Sequence, residues 1–312
     1  MKSQNILLLG GTGFVGKYLL NRLYQKQLNI HVVARNAHTL PKLAGVHYYA
    51  DLLDNPSMLG KILPCCQKVV HLVSNSTPGS SYLQPSFEGE KNILPTLRFL
   101  EILQQYPKTQ LIYFSSGGAV YGNPETQLVS ENAPLLPQSY YGAGKAALEK
   151  FIIAFCQQLQ RSAVILRPAN LYGPGQPYRS GFGIIPTIFH TVISKKPLPI
   201  LGGGEVVRDY LYISDLIDLC IKLIEETVVH NSVKIYNVGS GRGYTLNQLC
   251  LLIEKVTNTK IIRQYQPSRP VDIKQIVLDC RHIYEDYHWA PKVDLPTGLA
   301  ITWEWFKSHN HR

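Results

Sequence analysis

The chain opens on an unbroken apolar run, Ile6-Leu7-Leu8-Leu9, which passes directly into Gly10-Gly11-Thr12-Gly13-Phe14-Val15-Gly16. A short run without polar alternation, bounded by glycine, predicts a strand buried on both faces. The period then changes. Val15, Tyr18, Leu19 and Leu23 fall on one stripe of a helix from Gly13 to Lys26. Further strands are predicted at Asn29 to Ala34, Val46 to Ala50, Lys68 to Val73, Gln110 to Phe114 and Ala163 to Arg167. Helices are predicted between them. One runs from Asp54 to Leu63. A second runs from Gln84 to Gln105, with Phe87, Ile93, Leu94, Leu97 and Leu100 as its apolar face and Pro95 as a kink. A third follows Tyr141, with Leu148, Phe151, Ile152, Phe155 and Leu159 on one face. This alternation of strand and helix demands an α/β fold with a doubly wound parallel sheet, placed at residues 1–167.

Beyond residue 167 the texture changes. Asn170 to Gly183 is rich in Gly, Pro and Tyr. A helix (Ile184 to Lys195), short strands around Ile200 and Tyr210, and a helix capped by Ser214 are expected next. A strand at Ile235 to Val238, a helix from Thr245 to Lys255 and a terminal helix with Trp303, Trp305 and Phe306 complete the chain. Residues 168–312 therefore read as a smaller substrate-binding lobe, with a segment near 234–250 returning to the main sheet.

The glycine run adds chemistry to the first strand and helix. A helix N-terminus offers unpaired N–H groups and the positive end of its dipole to a phosphate. Gly10, Gly13 and Gly16, spaced by three, supply the turn, the close approach of a pyrophosphate and helix–strand packing. The sheet is thus expected to be of the dinucleotide-binding Rossmann type, with NAD or NADP as cofactor. The second strand ends Ala34-Arg35-Asn36, where an acid would select the ribose hydroxyls of NAD. Arg35 leans toward the 2′-phosphate of NADP; the alternative is a solvated loop residue. Asp51-Leu52 ends the third strand, where a carboxylate could meet the adenine amino group. Leu72, Val73 and the loop from Ser74 lie at a strand's carboxyl end, on the ligand side of such a sheet. His71 reads as a packed strand histidine rather than a base.

Composition changes this picture little. The 312 residues are 45% hydrophobic and 17% charged, as in an ordinary globular protein. No apolar run approaches the ~20 residues of a membrane span. Met1 to Gln4 lead straight into a strand, which predicts no secretory signal. Six cysteines, at positions 65, 66, 156, 220, 250 and 280, show no C-x-x-C and no metal spacing with a histidine. They read as reduced thiols of a cytoplasmic protein without a metal site, and the adjacent Cys65-Cys66 as incidental. The net charge of +10 has three readings. Nucleic acid is disfavoured because the basic residues are dispersed. An anionic nucleotide drawn to a positive cleft and a merely basic surface both stand.

Tyr141 and Lys145, four apart, share one helix face, and Tyr140 is out of that register. An ammonium beside a phenol favours the phenolate, so Tyr141 can exchange a proton with a sugar hydroxyl. With the glycine turn and the strand ending Ser115-Ser116, the chain resembles the extended short-chain dehydrogenases/reductases, of the nucleotide-sugar epimerase/dehydratase kind. The resemblance runs through Gly10 to Gly16, Asp51-Leu52, Asn92, Ser115 to Gly122, Tyr141 to Lys145, Arg167 to Gly175, Arg208-Asp209-Tyr210 and Arg269 to Asp272. It implies that Gly10, Gly13, Phe14 and Val15 hold the pyrophosphate, that Asp51 and Leu52 meet adenine, and that Asn92 steadies the active-site lysine. It implies Tyr141 as acid/base and Lys145 as its partner at the nicotinamide ribose. Asn170, Arg208 and Arg269 would meet the sugar-nucleotide diphosphate, and Asp272 a nucleotide ribose hydroxyl. A homodimer built from the helices near 84–105 and 141–159 is also implied.

Two positions depart from the family pattern. Gly117 stands where a Ser or Thr usually bonds the substrate's reacting oxygen, so that hydroxyl must come from Ser116, a water or elsewhere. Arg35 replaces the usual acid. Gly118-Ala119 also lacks the Asp-Glu pair of the 4,6-dehydratases and the cysteine of the 3,5-epimerase/reductases. The leading expectation is a nucleotide-sugar 4-epimerase of the UDP-glucose/UDP-galactose type. It would oxidise C4 transiently, let the keto sugar rotate, and reduce it again. The alternatives are an NADPH-dependent reductase of a nucleotide 4-keto sugar and a catalytically silent dinucleotide-binding protein.

Overall fold

The computed structural model describes residues 4–77, 79–80, 84–178, 183–226, 232–268 and 273–309. In chain order, β1 (Asn5–Leu9) and α1 (Phe14–Gln25) flank the glycine run and are followed by β2 (Asn29–Val33), β3 (Val46–Tyr49), α2 (Pro56–Ile62) and β4 (Lys68–His71). Next come α3 (Pro85–Glu88), a π turn (Gly89–Ile93), α4 (Leu94–Leu103), β5 (Gln110–Phe114), α5 (Gly117–Val120), α6 (Tyr140–Leu159), β6 (Ala163–Pro168) and β7 (Asn170–Tyr172). The remainder is α7 (Ile184–Ser194), β8 (Leu198–Leu201), β9 (Val207–Tyr212), α8 (Ile213–Glu225), β10 (Val233–Val238), β11 (Gly243–Thr245), α9 (Leu246–Thr257), β12 (Arg263–Gln266), β13 (Gln275–Ile276), α10 (Arg281–Tyr287) and α11 (Leu295–His309).

A seven-stranded sheet has the order β10-β6-β5-β4-β1-β2-β3. Its pairs from β3 across to β6 run parallel. This is the expected Rossmann-type sheet. Ile6 to Leu9, Gln110 to Phe114 and Ala163 to Pro168 are buried throughout, as strands covered on both faces must be. Strand order reverses between β1 and β4, and ligands of open α/β sheets bind beyond the carboxyl ends of strands at such a switch point. Gly10 follows β1 there.

Two compact units divide the chain. The first comprises residues 1–115, 140–167 and 217–236; the second comprises 116–139, 168–216 and 237–312. The core of the first packs Leu59, Ile62, Phe99, Leu100, Leu103, Leu148 and Ile152 against Leu7, Val69, Leu111 and Ile165 of the sheet. The second has its own core, where Phe189, Leu249, Ile253, Leu299, Trp303 and Phe306 meet Tyr172, Tyr210 and Tyr212. Asp209 is its buried polar pillar. Its carboxylate accepts from the Ser240 N–H and hydroxyl, and from the N–H groups of Gly241 and Leu278.

Three local expectations are corrected. The helix expected over 84–105 is two α segments joined by the π turn, and Pro95 lies in the first turn of α4, where a missing N–H costs no helical bond. Ser214 is not a cap, because α8 starts at Ile213 straight from β9. On α6 the buried stripe is Leu148, Ile152 and Cys156, while Phe151 and Leu159 are exposed, as is Leu94 on α4.

Candidate active site

The glycine turn is built by packing at two positions and by openness at a third. Gly10 has φ +91°, and a Cβ there would lie 3.1 Å from the Val73 nitrogen. At Gly16 a Cβ would lie 2.4 Å from the Gly10 carbonyl oxygen, so α1 can enter this close only with glycine. At Gly13 a Cβ would meet only the Gly10 carbonyl, at 3.5 Å. Gly13 is the N-cap of α1, with extended backbone and no capping side chain. The N–H groups of the first turn, at Phe14 and Val15, have no intrahelical partner, and Gly13 beside them is exposed. That is the geometry a pyrophosphate needs, so the residues present fit a dinucleotide. Leu72 and Val73 wall the turn: Leu72 N–H donates to Leu9 at 3.0 Å, and Val73 packs on Gly10. Ser74 is exposed and donates to the Ser76 carbonyl.

At the ends of β2 and β3 the picture is more open. Arg35 is exposed and forms no ion pair among the described residues. The Asp51 carboxylate accepts from the Leu52 N–H and from the Asn55 side chain, both at 2.7 Å, which ties it to the cap of α2. Leu52 is 57% exposed.

Lys145 is buried on α6, with its ammonium 6.0 Å from the Tyr141 ring centre and 5.1 Å from that of Tyr113. It donates to the Phe114 carbonyl at 2.7 Å, at the end of β5. Burial pulls Lys145 down to about 8, against the opposing pull of Glu88 and Glu149. Tyr141 is half-buried and Tyr140 exposed, as their register requires. Tyr113 remains a neutral phenol, because burial, then the neighbouring Tyr141, Glu149 and Glu88, hold it well above its usual range. His71 is buried against Phe99 and Tyr113, and burial holds it down at about 3. It is a neutral packed histidine.

Asn92 lies on the π turn. Its oxygen accepts from the Asn75 N–H at 2.8 Å, and its amide donates to Ser76 Oγ at 2.9 Å and to Glu88 Oε2 at 2.8 Å. It anchors the loop after β4 and orients Glu88; the anchor on the Lys145 ammonium is Phe114. Sequence reading missed Glu88, and it missed a second buried acid. Glu149 accepts from the Ser115 hydroxyl and pairs with Arg167 at 2.6 Å. Ser115 is thereby committed to the interior.

Ser116 and Gly117 belong to the second unit, with Asn170 and Arg208. Ser116 is the N-cap of α5, half-buried, and its hydroxyl makes no hydrogen bond among the described residues. A Cβ at Gly118 would lie 3.4 Å from Asn170 Oδ1, so this turn and β7 come together. Asn170 pairs with Tyr210, two residues from Arg208. The Arg208 guanidinium donates to the Val207 and Ile273 carbonyls, each at 2.8 Å. Arg269 and Asp272 lie outside the described residues.

The model of the NAD dependent epimerase/dehydratase family matches residues 6–239. This chain belongs to that family. Its similarity to family members extends over nearly the whole chain. It is 28% identical to dTDP-4-dehydro-6-deoxyglucose reductase of Escherichia coli, over 96% of each chain. It is 26% identical to UDP-glucose 4-epimerase of Mycolicibacterium smegmatis, over 97% of this chain and 98% of that one. Among solved structures, the UDP-glucose 4-epimerase of Thermotoga maritima with UDP-glucose superposes with TM-score 0.90 at 29% identity, covering 98% of this chain and 99% of the other. The Thermus thermophilus UDP-glucose 4-epimerase in complex with NAD gives 0.88 at 28%, covering 98% and 100%. No helix among the described residues is long and apolar enough to cross a membrane.

Proposed function

We propose that the protein is a nucleotide-sugar 4-epimerase of the UDP-glucose/UDP-galactose type. The observation that carries this reading is Tyr141 set one helical turn from a buried Lys145, in a chain similar over its length to UDP-glucose 4-epimerases. The Tyr141 phenolate takes the proton from the sugar C4 hydroxyl, and once the keto sugar has turned its other face the phenol returns the proton to the C4 oxygen. The Lys145 ammonium, fixed by Phe114, favours the phenolate that accepts that proton. A bound nicotinamide dinucleotide supplies a hydride acceptor that returns what it takes, so no oxidant is consumed. Gly10, Gly13, Phe14 and Val15 would hold its pyrophosphate, Leu72, Val73 and Ser74 its flank, and Asp51 and Leu52 its adenine. NAD is favoured, because the Thermus thermophilus neighbour carries NAD; Arg35 is the one residue that argues for NADP. Ser116, Gly117, Asn170 and Arg208, with Arg269 and Asp272, would take the sugar nucleotide. With no hydroxyl at Gly117, the bond to the reacting oxygen would come from Ser116, a water or another group.

A cytoplasmic homodimer goes with this reading. Exposed Leu94 on α4 and Phe151 and Leu159 on α6 offer an apolar surface for a second copy. The enzymatic test is incubation with UDP-glucose and NAD. UDP-galactose should appear with no net change in nicotinamide absorbance, and sugars left unchanged would count against the proposal. A reductase of a nucleotide 4-keto sugar is the second reading, favoured by Arg35 and by the Escherichia coli reductase relative. Stoichiometric NADPH loss on such a keto sugar would favour it.

A further inference from the structure

Strand register creates a cluster that the sequence does not announce. His31 on β2 stands opposite His47 on β3, and their rings stack at 4.8 Å. Tyr49, two residues along β3, has its hydroxyl 3.2 Å from His31 Nδ1. This fixes the ring and leaves Nε2 directed elsewhere. Cys65 Sγ lies 3.8 Å from that Nε2. Cys65 and Cys66 follow α2 and precede β4. The ligating atoms of His31, Cys65 and Cys66 all lie within 4.8 Å of one another. Cys65 is exposed and Cys66 is buried. The cluster lies toward the amino end of β4, whereas the dinucleotide turn follows the carboxyl end of β1. None of its residues is used by the proposed reaction.

We infer that His31 Nε2, Cys65 Sγ and Cys66 Sγ bind one thiophilic d10 metal ion, zinc(II) or copper(I). Two sulfurs and an imidazole form a donor set that hard ions such as magnesium disfavour. A tetrahedral zinc, with bonds of about 2.3 Å to sulfur and about 2.0 Å to nitrogen, sets ligand atoms roughly 3.5–3.8 Å apart. The Cys65–His31 pair, at 3.8 Å, is within about 0.3 Å of the sulfur–nitrogen separation, and side-chain rotation brings in Cys66. The Tyr49 hydroxyl on Nδ1 is the kind of outer partner that orients ligating histidines. Three protein ligands and an accessible fourth position make the bound ion exchangeable. Binding releases the thiol protons and joins β2 to the turn before β4, so it stabilises the first unit by mass action.

The test uses the full chain, stripped of metal by a chelator and kept reduced with a phosphine. Cobalt(II) serves as an optical probe, and zinc(II) and copper(I) are measured separately against chromophoric competitors. The expected result is one cobalt equivalent with a thiolate-to-cobalt charge-transfer band, displaced by whichever of the two ions the site takes. Cys65→Ser and His31→Gln should each weaken binding by at least about tenfold. A second readout needs no variant: the bound ion should protect Cys65 from alkylation, read by peptide mass spectrometry. No thiolate band and no competition for either ion, unchanged affinity in both variants, or Cys65 alkylated equally with and without metal would overturn the inference.

Discussion

The glycine turn after β1 and the buried layer beneath Lys145 both lie at carboxyl ends of strands in one sheet, yet they are made of opposite materials. The turn works through backbone. Its donors are peptide N–H groups, and its shape comes from missing side chains at Gly10, Gly13 and Gly16. The layer works through charge. Lys145, Glu88, Glu149 and Arg167 are all buried, and they come from two helices, α3 and α6, and the strand β6. A phosphate cradle can be written in seven consecutive residues because backbone geometry is local. A tuned lysine cannot, because burial by distant elements lowers it and one of the two carboxylates that hold it up, Glu88, comes from another helix.

The sharpest way to break the contrast is at the turn itself. Gly16→Ala drives a methyl into the Gly10 carbonyl and should abolish dinucleotide binding with a large fall in Tm. Gly13→Ala should keep the Tm and still weaken dinucleotide binding, because its methyl stands beside the unpaired N–H groups of the first turn and strikes no side chain. Titration calorimetry and thermal unfolding separate the two outcomes. Equal effects at both positions would remove the distinction between packing and cradle. In the charged layer, Glu149→Gln strands Arg167 in the interior and should cost about 3–5 kcal/mol, measured by denaturant unfolding.

A pH profile tests the layer's tuning more finely. Lys145 titrates at about 8, so its ammonium, and the help it gives Tyr141, should fade as pH rises through 8, giving kcat an alkaline limb there. Glu88 opposes the burial effect, so Glu88→Gln should move that limb to lower pH; an unmoved limb would remove Glu88 from the layer. Stability carries the same linkage. The folded lysine loses its proton before the unfolded one, whose ordinary value is 10.5. Between about 8 and 10.5 the unfolded chain therefore binds more protons, and this site's burial penalty is relieved as pH rises. The smallest effect is expected at Arg35. Arg35→Ala should leave NAD affinity within about fivefold, the scale of an exposed charge contact, and lower any NADP affinity. Comparative titrations with the two dinucleotides give both numbers.

Periodicity made much of the fold legible. The β5 strand, Gln110 to Phe114, lies where its apolar run put it, and the sheet is parallel as the alternation demanded. Helical spacing put Tyr141 and Lys145 on one face, and the glycine turn and the strand ending Ser115-Ser116 gave that pair its chemical reading. Other features rest on contacts that no local pattern carries. The π turn at Gly89–Ile93 looks in sequence like continuous helix, yet it places Asn92 and Glu88. Glu88 and Glu149 carry no local sign of burial; the neighbours that cover them are set by the fold. Phe151 and Leu159 fit an apolar stripe one position away from the stripe that is buried. The His31–Cys65–Cys66 cluster depends on β2–β3 register and on where the turn before β4 lands.

In the proposed reaction a hydride leaves C4 and returns to the same carbon while Tyr141 handles the hydroxyl proton. UDP-glucose labelled with deuterium at C4 tests it directly, read by mass spectrometry and proton NMR of the product. UDP-galactose should keep its deuterium at C4, and Tyr141→Phe should slow its formation at least about a hundredfold. Deuterium lost to solvent, or no UDP-galactose at all from protein supplied with NAD, would contradict it.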